Sequence, residues 1–201
     1  MDDCSVDLFW LPVAAGTNSR VRNWSLACWE AVSALLDHRP RAALYHPGLK
    51  VRLETGETYT LELTPVFVGE PAPPLMTGPV GLPVAGRLRL FRYQLRCLRA
   101  DTLPDEEYAV ASPVRLSADR ETARQILALG PTIPPHTWGL RARGTSEMWT
   151  SGSAISWLLM RAGIDLVGVR PPAGGRAPGW DAGIQLAGTQ PAPIASFAGT
   201  S

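Results

Sequence analysis

Residues Met148 to Leu159 place Thr150, Ser151, Gly152 and Ser153 at the start of an apolar helical pattern. Far upstream, His46 lies in the strand pattern Leu44-Tyr45-His46-Pro47-Gly48-Leu49-Lys50-Val51. The first-turn amides of a helix lack intrahelical partners, and the dipole puts partial positive charge there, so a hydroxyl at that position develops negative charge at reduced cost. A strand-borne imidazole can take the hydroxyl proton. This is a layout for acyl transfer, with Ser153 as nucleophile and His46 as general base and acid. Amides at Ser151, Gly152 and Ser153 would hold the oxyanion, each donor contributing roughly 3 kcal/mol to the transition state. Glu62, in Thr60-Leu61-Glu62-Leu63-Thr64, is the acid that would fix the imidazole tautomer and stabilise the imidazolium. Every one of these residues also has a plain structural reading. Thr and Ser are favoured helix caps, and His and Glu suit the solvent-facing parity of a strand.

The other titratable residues offer less. His38 sits in an Arg-rich helix terminus, and His136 follows two prolines in a loop. The three histidines and three cysteines show none of the short paired spacings of zinc ligands, so no metal is expected. No glycine-rich loop leads from a strand into a helix with the Lys or Asp that a nucleotide site needs, and no cofactor is expected. The Gly-x-Ser-x-Gly nucleophile elbow is absent around Ser153.

Several elements must position these residues. Val6 to Val13 reads as a buried strand ended by Pro12 and Gly16. Arg22 to Asp37 has helical spacing, with Asn23 suited to cap it and Pro40 to stop it. Ala43 to Leu53 and Glu57 to Val66 alternate as strands joined by a turn at Glu54-Thr55-Gly56-Glu57, which puts His46 and Glu62 on one face. Gly69 to Gly86, crowded with Pro and Gly, reads as an ordered connecting loop. Arg87 to Arg99 alternates as a third strong strand. Ser117 to Leu129 is predicted as a helix capped by Ser117, and the Ser153 helix runs to about Ala162, with Gly163 as its stop. From Val167 onward the chain is rich in Pro and Gly. Seven tryptophans suggest a large packed core or a lined groove.

Bulk composition bounds the rest. With 201 residues, 45% hydrophobic and 18% charged, the chain is globular, and one domain over 1–188 with a flexible tail over 189–201 is the natural division. A net charge of +1 gives no long-range field for nucleic acid or an anionic membrane, and the arginines look scattered. No apolar stretch reaches membrane-spanning length, and Met1-Asp2-Asp3 is acidic where a signal peptide is basic. The three cysteines, odd in number, read as reduced thiols, so a cytoplasmic protein is expected.

A His opening a strand, an acid in the next strand and a nucleophile opening a late helix together resemble the circularly permuted papain-like superfamily. That group includes lecithin:retinol acyltransferase and permuted relatives of cell-wall endopeptidases. Its His-x-Gly-Ile strand is similar to His46-Pro47-Gly48-Leu49, and its second polar strand position is similar to Glu62 in Thr60 to Pro65. Gly152-Ser153 stands where the family has an Asn-Cys pair. Leu44-Tyr45-His46, Arg89 to Tyr93, Met148 to Ser153 and Gly175 to Trp180 also resemble a set of actinobacterial proteins without an established activity.

The resemblance implies an α+β fold of permuted papain-like architecture, an antiparallel β-sheet flanked by helices. It implies a hydrolase or acyltransferase acting on an amide, ester or thioester through Ser153, His46 and Glu62. Because Ser replaces Cys, no preformed thiolate–imidazolium pair exists, and His46 would have to deprotonate the hydroxyl during attack. The same replacement is how such a fold becomes a catalytically silent domain that binds a small molecule or peptide in the cleft. The expected partner is thus a small or peptidic acyl substrate, and Ser153→Ala is expected to cost turnover with little loss of stability.

Overall fold

The computed structural model describes residues 4–13, 38, 40–66 and 73–190. The helix expected over Arg22 to Asp37 and most of the expected tail lie outside the described residues. Seven strands form one sheet: β1 (Ser5–Pro12), β2 (Ala43–Arg52), β3 (Thr58–Pro65), β4 (Met76–Pro79), β5 (Arg92–Arg99), β6 (Val114–Ser117) and β7 (Gly175–Arg176). The order β4-β5-β3-β2-β1-β6 is antiparallel throughout, and the two-residue β7 pairs in parallel with the start of β2. Three helices are described: α1 (Arg120–Leu129), α2 (Ser151–Arg161) and α3 (Trp180–Gly188). The architecture is α+β, as the sequence suggested.

Strand alternation divides the side chains between two faces. Val6, Leu8 and Trp10 of β1, Leu49 and Val51 of β2, and Leu61 and Leu63 of β3 join the main core with Ile126, Ile155 and Leu158 from the helices. The opposite face carries Phe9 and Leu11, packed with Leu103 and Ala109 in a second, smaller cluster. Lys50 ties that second layer down: its ammonium donates to Glu106 Oε1 at 2.6 Å and stands 5.0 Å above the Phe9 ring. Glu106 Oε2 in turn accepts from the Leu103 amide at 2.8 Å. β1 is therefore buried on both sides, which explains the apolar run Leu8-Phe9-Trp10-Leu11.

Four sequence expectations shift. Within the expected 69–86 loop, Met76–Pro79 pairs with β5 as an edge strand, where Pro79 can stand at the end without breaking a ladder. The expected strand from Arg87 starts only at Arg92, because Pro83–Arg87 and Arg89–Phe91 wind as 3₁₀ turns. The 117–129 helix starts at Arg120, with Asp119 as its cap accepting from the Thr122 amide at 2.7 Å; Ser117 ends β6 instead. Finally, α3 rises from a stretch rich in Pro and Gly. The 151–161 helix and the Gly56 turn, closed by the Gly56 amide on the Leu53 carbonyl at 3.0 Å, match their patterns.

Candidate functional site

Residue by residue, the start of α2 is a finished cap. Thr150 is the N-cap, and its Oγ1 accepts from the Gly152 amide at 3.1 Å. Ser153 Oγ accepts from the Thr150 amide at 3.0 Å, completing a capping box. The Ser153 hydroxyl proton goes to the Met148 carbonyl at 3.2 Å. Its side chain is wholly buried.

The segment that encloses it is Gly175 to Trp180. Thr150 Oγ1 donates to the Pro178 carbonyl, and Ser156 Oγ donates to the Trp180 carbonyl at 2.7 Å. Gly179 lies directly over the hydroxyl. A Cβ built there would stand 2.3 Å from Ser153 Oγ and 2.6 Å from the Met148 carbonyl, and the backbone φ of +78° also demands glycine. One turn later Gly183 lets α3 cross α2 in backbone contact, since a Cβ there would meet the Ser153 carbonyl at 2.0 Å. Gly152 and Ser151 are buried in the same closure, and the Gly152 amide, expected to help hold an oxyanion, is taken by the Thr150 hydroxyl. No room remains beside Ser153 for an acyl group.

The histidine lies on the other side of the sheet. His46 pairs with Leu11 across the β1–β2 ladder, and Leu11 belongs to the second cluster with Phe9 and Leu103. Its neighbours by alternation, Gly48 and Lys50, face the same way. Leu49 and Val51, with the opposite parity, pack toward α2. Ser153 and His46 therefore stand on opposite faces: of the three expected residues, the structure brings His46 and Glu62 together and places Ser153 in a separate buried cap. The physical reason is the period of two in β2: the parity that gives His46 its polar neighbours also turns it away from the helices.

His46 and Glu62 do come together. The β2–β3 register pairs Leu49 with Leu61, which puts Glu62 diagonal to His46 with only Gly48 between, and His46 Nδ1 stands 3.9 Å from Glu62 Oε1. That separation is an ion-pair contact, too long for a hydrogen bond. Burial pushes the Glu62 carboxyl up to about 7, helped by the Asp105 charge and opposed by Arg96. Alternation brings the hydroxyls of Thr58, Thr60 and Thr64 to that face of β3; Thr60 reaches toward the Leu98 carbonyl, and the Thr64 Oγ1 atom is buried.

His136 sits on the helix side, its ring 4.9 Å from Trp149 in an edge contact. Trp149 Nε1 donates to Tyr93 Oη at 3.1 Å, and Tyr93 donates to the His136 carbonyl at 2.7 Å. Burial lowers the His136 ring and pushes the Tyr93 phenol up to about 12, so this cluster is a neutral packing network.

Outside the closure over Ser153 lies a recess of about 220 Å³ lined by Glu147, Arg170, Pro172, Arg176, Trp180 and Asp181. Glu147 organises it: Oε2 accepts from the Gly179 amide at 2.9 Å, and Oε1 accepts from Arg176 at 3.3 Å. Arg170 meets Asp181 only at 4.0 Å, with both side chains more than half exposed. Arg176 and Trp180 belong to the Gly175–Trp180 segment, whereas Glu147, Arg170 and Asp181 carry no sequence pattern that points to a site. Among the described residues no group of three His, Cys, Asp or Glu could hold a metal ion, and no helix is long and apolar enough to cross a membrane. Cys4 and Cys97 are free thiols.

Compared with known proteins, the chain matches no family model, no curated protein and no solved structure.

Proposed function

We propose that this chain is a catalytically silent binding domain of permuted papain-like architecture, and that its ligand is a small molecule or peptide end carrying a carboxylate, held in the recess beside α2. The observation that carries this is the state of Ser153. Its hydroxyl is buried, bonded as acceptor and as donor, and covered by Gly179. A nucleophile needs a base to take its proton and a path for the acyl group; the Ser153 proton goes to the Met148 carbonyl, and Gly179 covers the oxygen. The order of elements, with the His strand, the acid strand and the late helix on one sheet, supports the permuted architecture.

The recess supplies what the buried serine does not. Arg170 and Arg176 present planar guanidinium groups suited to bidentate carboxylate binding, and the buried Trp180 ring forms part of the wall. An exposed pair at 4.0 Å such as Arg170–Asp181 holds its partner weakly, so a ligand carboxylate can displace Asp181.

Two measurements test the reading together. Short peptides with free C-terminal carboxylates, titrated into the isotope-labelled chain, should shift the amides of residues 170–181, and Arg170→Ala with Arg176→Ala should remove the shifts. A serine-reactive fluorophosphonate should leave Ser153 unlabelled. A Ser153 adduct that disappears in His46→Ala would overturn the binding reading in favour of a hydrolase or acyltransferase acting on an amide, ester or thioester. Absence of shifts in 170–181 would remove the recess as the site.

A further inference from the structure

We infer that the lobe connecting β4 to β5 is a docking device for the surface of an anionic lipid membrane. From residue 82 to 91 the side chains of Leu82, Val84, Leu88, Leu90 and Phe91 are all exposed, Leu90 at 82%. Isolated exposed leucines are ordinary, but five large apolar side chains within ten residues make a patch of the kind that marks an interaction site. The composition around it is one-signed. Residues 71–100 contain Arg87, Arg89, Arg92, Arg96 and Arg99 and no Asp or Glu, in a chain whose net charge is only +1.

The lobe is built to enter an interface without unfolding. Its backbone is bonded internally: the amides of Ala85, Leu88 and Phe91 donate three residues back, to Leu82, Ala85 and Leu88 respectively. Val80 closes the neck on the Phe91 carbonyl, and Arg92 Nε donates to the Gly86 carbonyl across it. Reciprocal bonds with Trp138 anchor the base, from Trp138 N to Pro79 O at 2.9 Å and from Gly81 N to Trp138 O at 3.0 Å. Each backbone group bonded in this way lowers the penalty for moving the loop into a region of low water content.

Alternation of charge and oil chooses the occupant. Arg87 and Arg89 flank Leu88 and precede Leu90, are exposed, and make no ion pair among the described residues. Guanidinium groups are common at protein interfaces, so the arginines alone do not choose the occupant; the choice rests on exposed aliphatic tips alternating with positive charge on one short loop that has no acidic residue. A lipid surface takes both at once: the aliphatic tips enter the acyl boundary while the arginines reach back to phosphates. The occupant is therefore a bilayer surface carrying anionic headgroups, bound peripherally.

Co-sedimentation of the full chain with vesicles tests this. With phosphatidylcholine vesicles containing phosphatidylglycerol, the protein should pellet, and with phosphatidylcholine alone it should pellet far less. Arg87→Ala and Arg89→Ala should each weaken partitioning about fivefold. Leu88→Asp combined with Leu90→Asp should abolish it, with circular dichroism unchanged because both side chains are exposed. Val167→Asp, which alters an exposed apolar residue elsewhere, should bind as the wild type does. Failure to pellet with the anionic vesicles at low salt would overturn the proposal. So would binding indifferent to the paired leucine substitutions, or a lipid-free dimer that those substitutions dissolve.

Discussion

A carboxyl pushed up to about 7 by burial couples the protonation of Glu62 to the stability of the fold. Its folded value lies above the unfolded one, so the native state binds the proton more tightly. The stability this gives is fully present below about 4.5 and is lost as pH rises through 7. A shift of that size corresponds to a loss on the order of 3 kcal/mol by pH 8. Glu62→Gln, which keeps the shape and cannot ionise, should therefore be more stable than the wild type at pH 8 and close to it at pH 4. Urea unfolding at the two pH values checks this, and identical pH dependence in both proteins would contradict it. His46, Arg96 and Asp105 surround the carboxyl, and the variant isolates its share from theirs.

At the scale of elements, Glu147 acts as a clasp between the start of α2 and the segment leading into α3. One carboxylate oxygen takes the Gly179 amide and the other takes Arg176. Hydrogen bonds to a charged group contribute roughly 1.5–3 kcal/mol each, so Glu147→Ala should speed hydrogen exchange at the Gly179 amide by about tenfold or more. The central amides of α2, covered by the sheet, should keep their protection, and equal acceleration in both places would show global unfolding instead. The clasp also explains what the sequence disclosed. The Met148–Ser153 and Gly175–Trp180 motifs stood out separately, and the structure joins them as two halves of one closure. The β2–β3 hairpin was legible because Gly56 and strict alternation fix its register locally. α3 was not: it follows a Pro- and Gly-rich run and carries two glycines, and tertiary contact through Gly183 holds it. The 3₁₀ turns before β5 are hidden in the sequence because Arg87 to Phe91 runs straight into the strand alternation of Arg92–Arg99, and only the exposure of Leu88 and Leu90 separates the two.

Across the whole molecule, the sheet is a partition. Side-chain types made Ser153 and His46 look like partners, and the strand parity that decides against it is visible in the sequence, since His46 alternates with the residues of the smaller layer. What the sequence does not contain is which face α2 would cover; that follows only from the core that Ile155, Leu158 and Trp149 build on Leu49 and Leu61. The partition has an energetic consequence. Ser153→Ala deletes half of the capping box and leaves the Met148 carbonyl without its donor, so it should cost about 1–2 kcal/mol of stability. His46→Ala acts on the other layer, where Glu62 and the β1–β2 ladder respond. Groups separated by a sheet share no neighbours, so the double variant should lose the sum of the single losses to within about 0.5 kcal/mol. Thr150→Ala with Ser153→Ala, both in one cap, should deviate from additivity by more than that. A Ser153–His46 coupling above about 1 kcal/mol in chemical unfolding would mean that the two side chains meet in solution, and the partition drawn here would then not describe the working molecule.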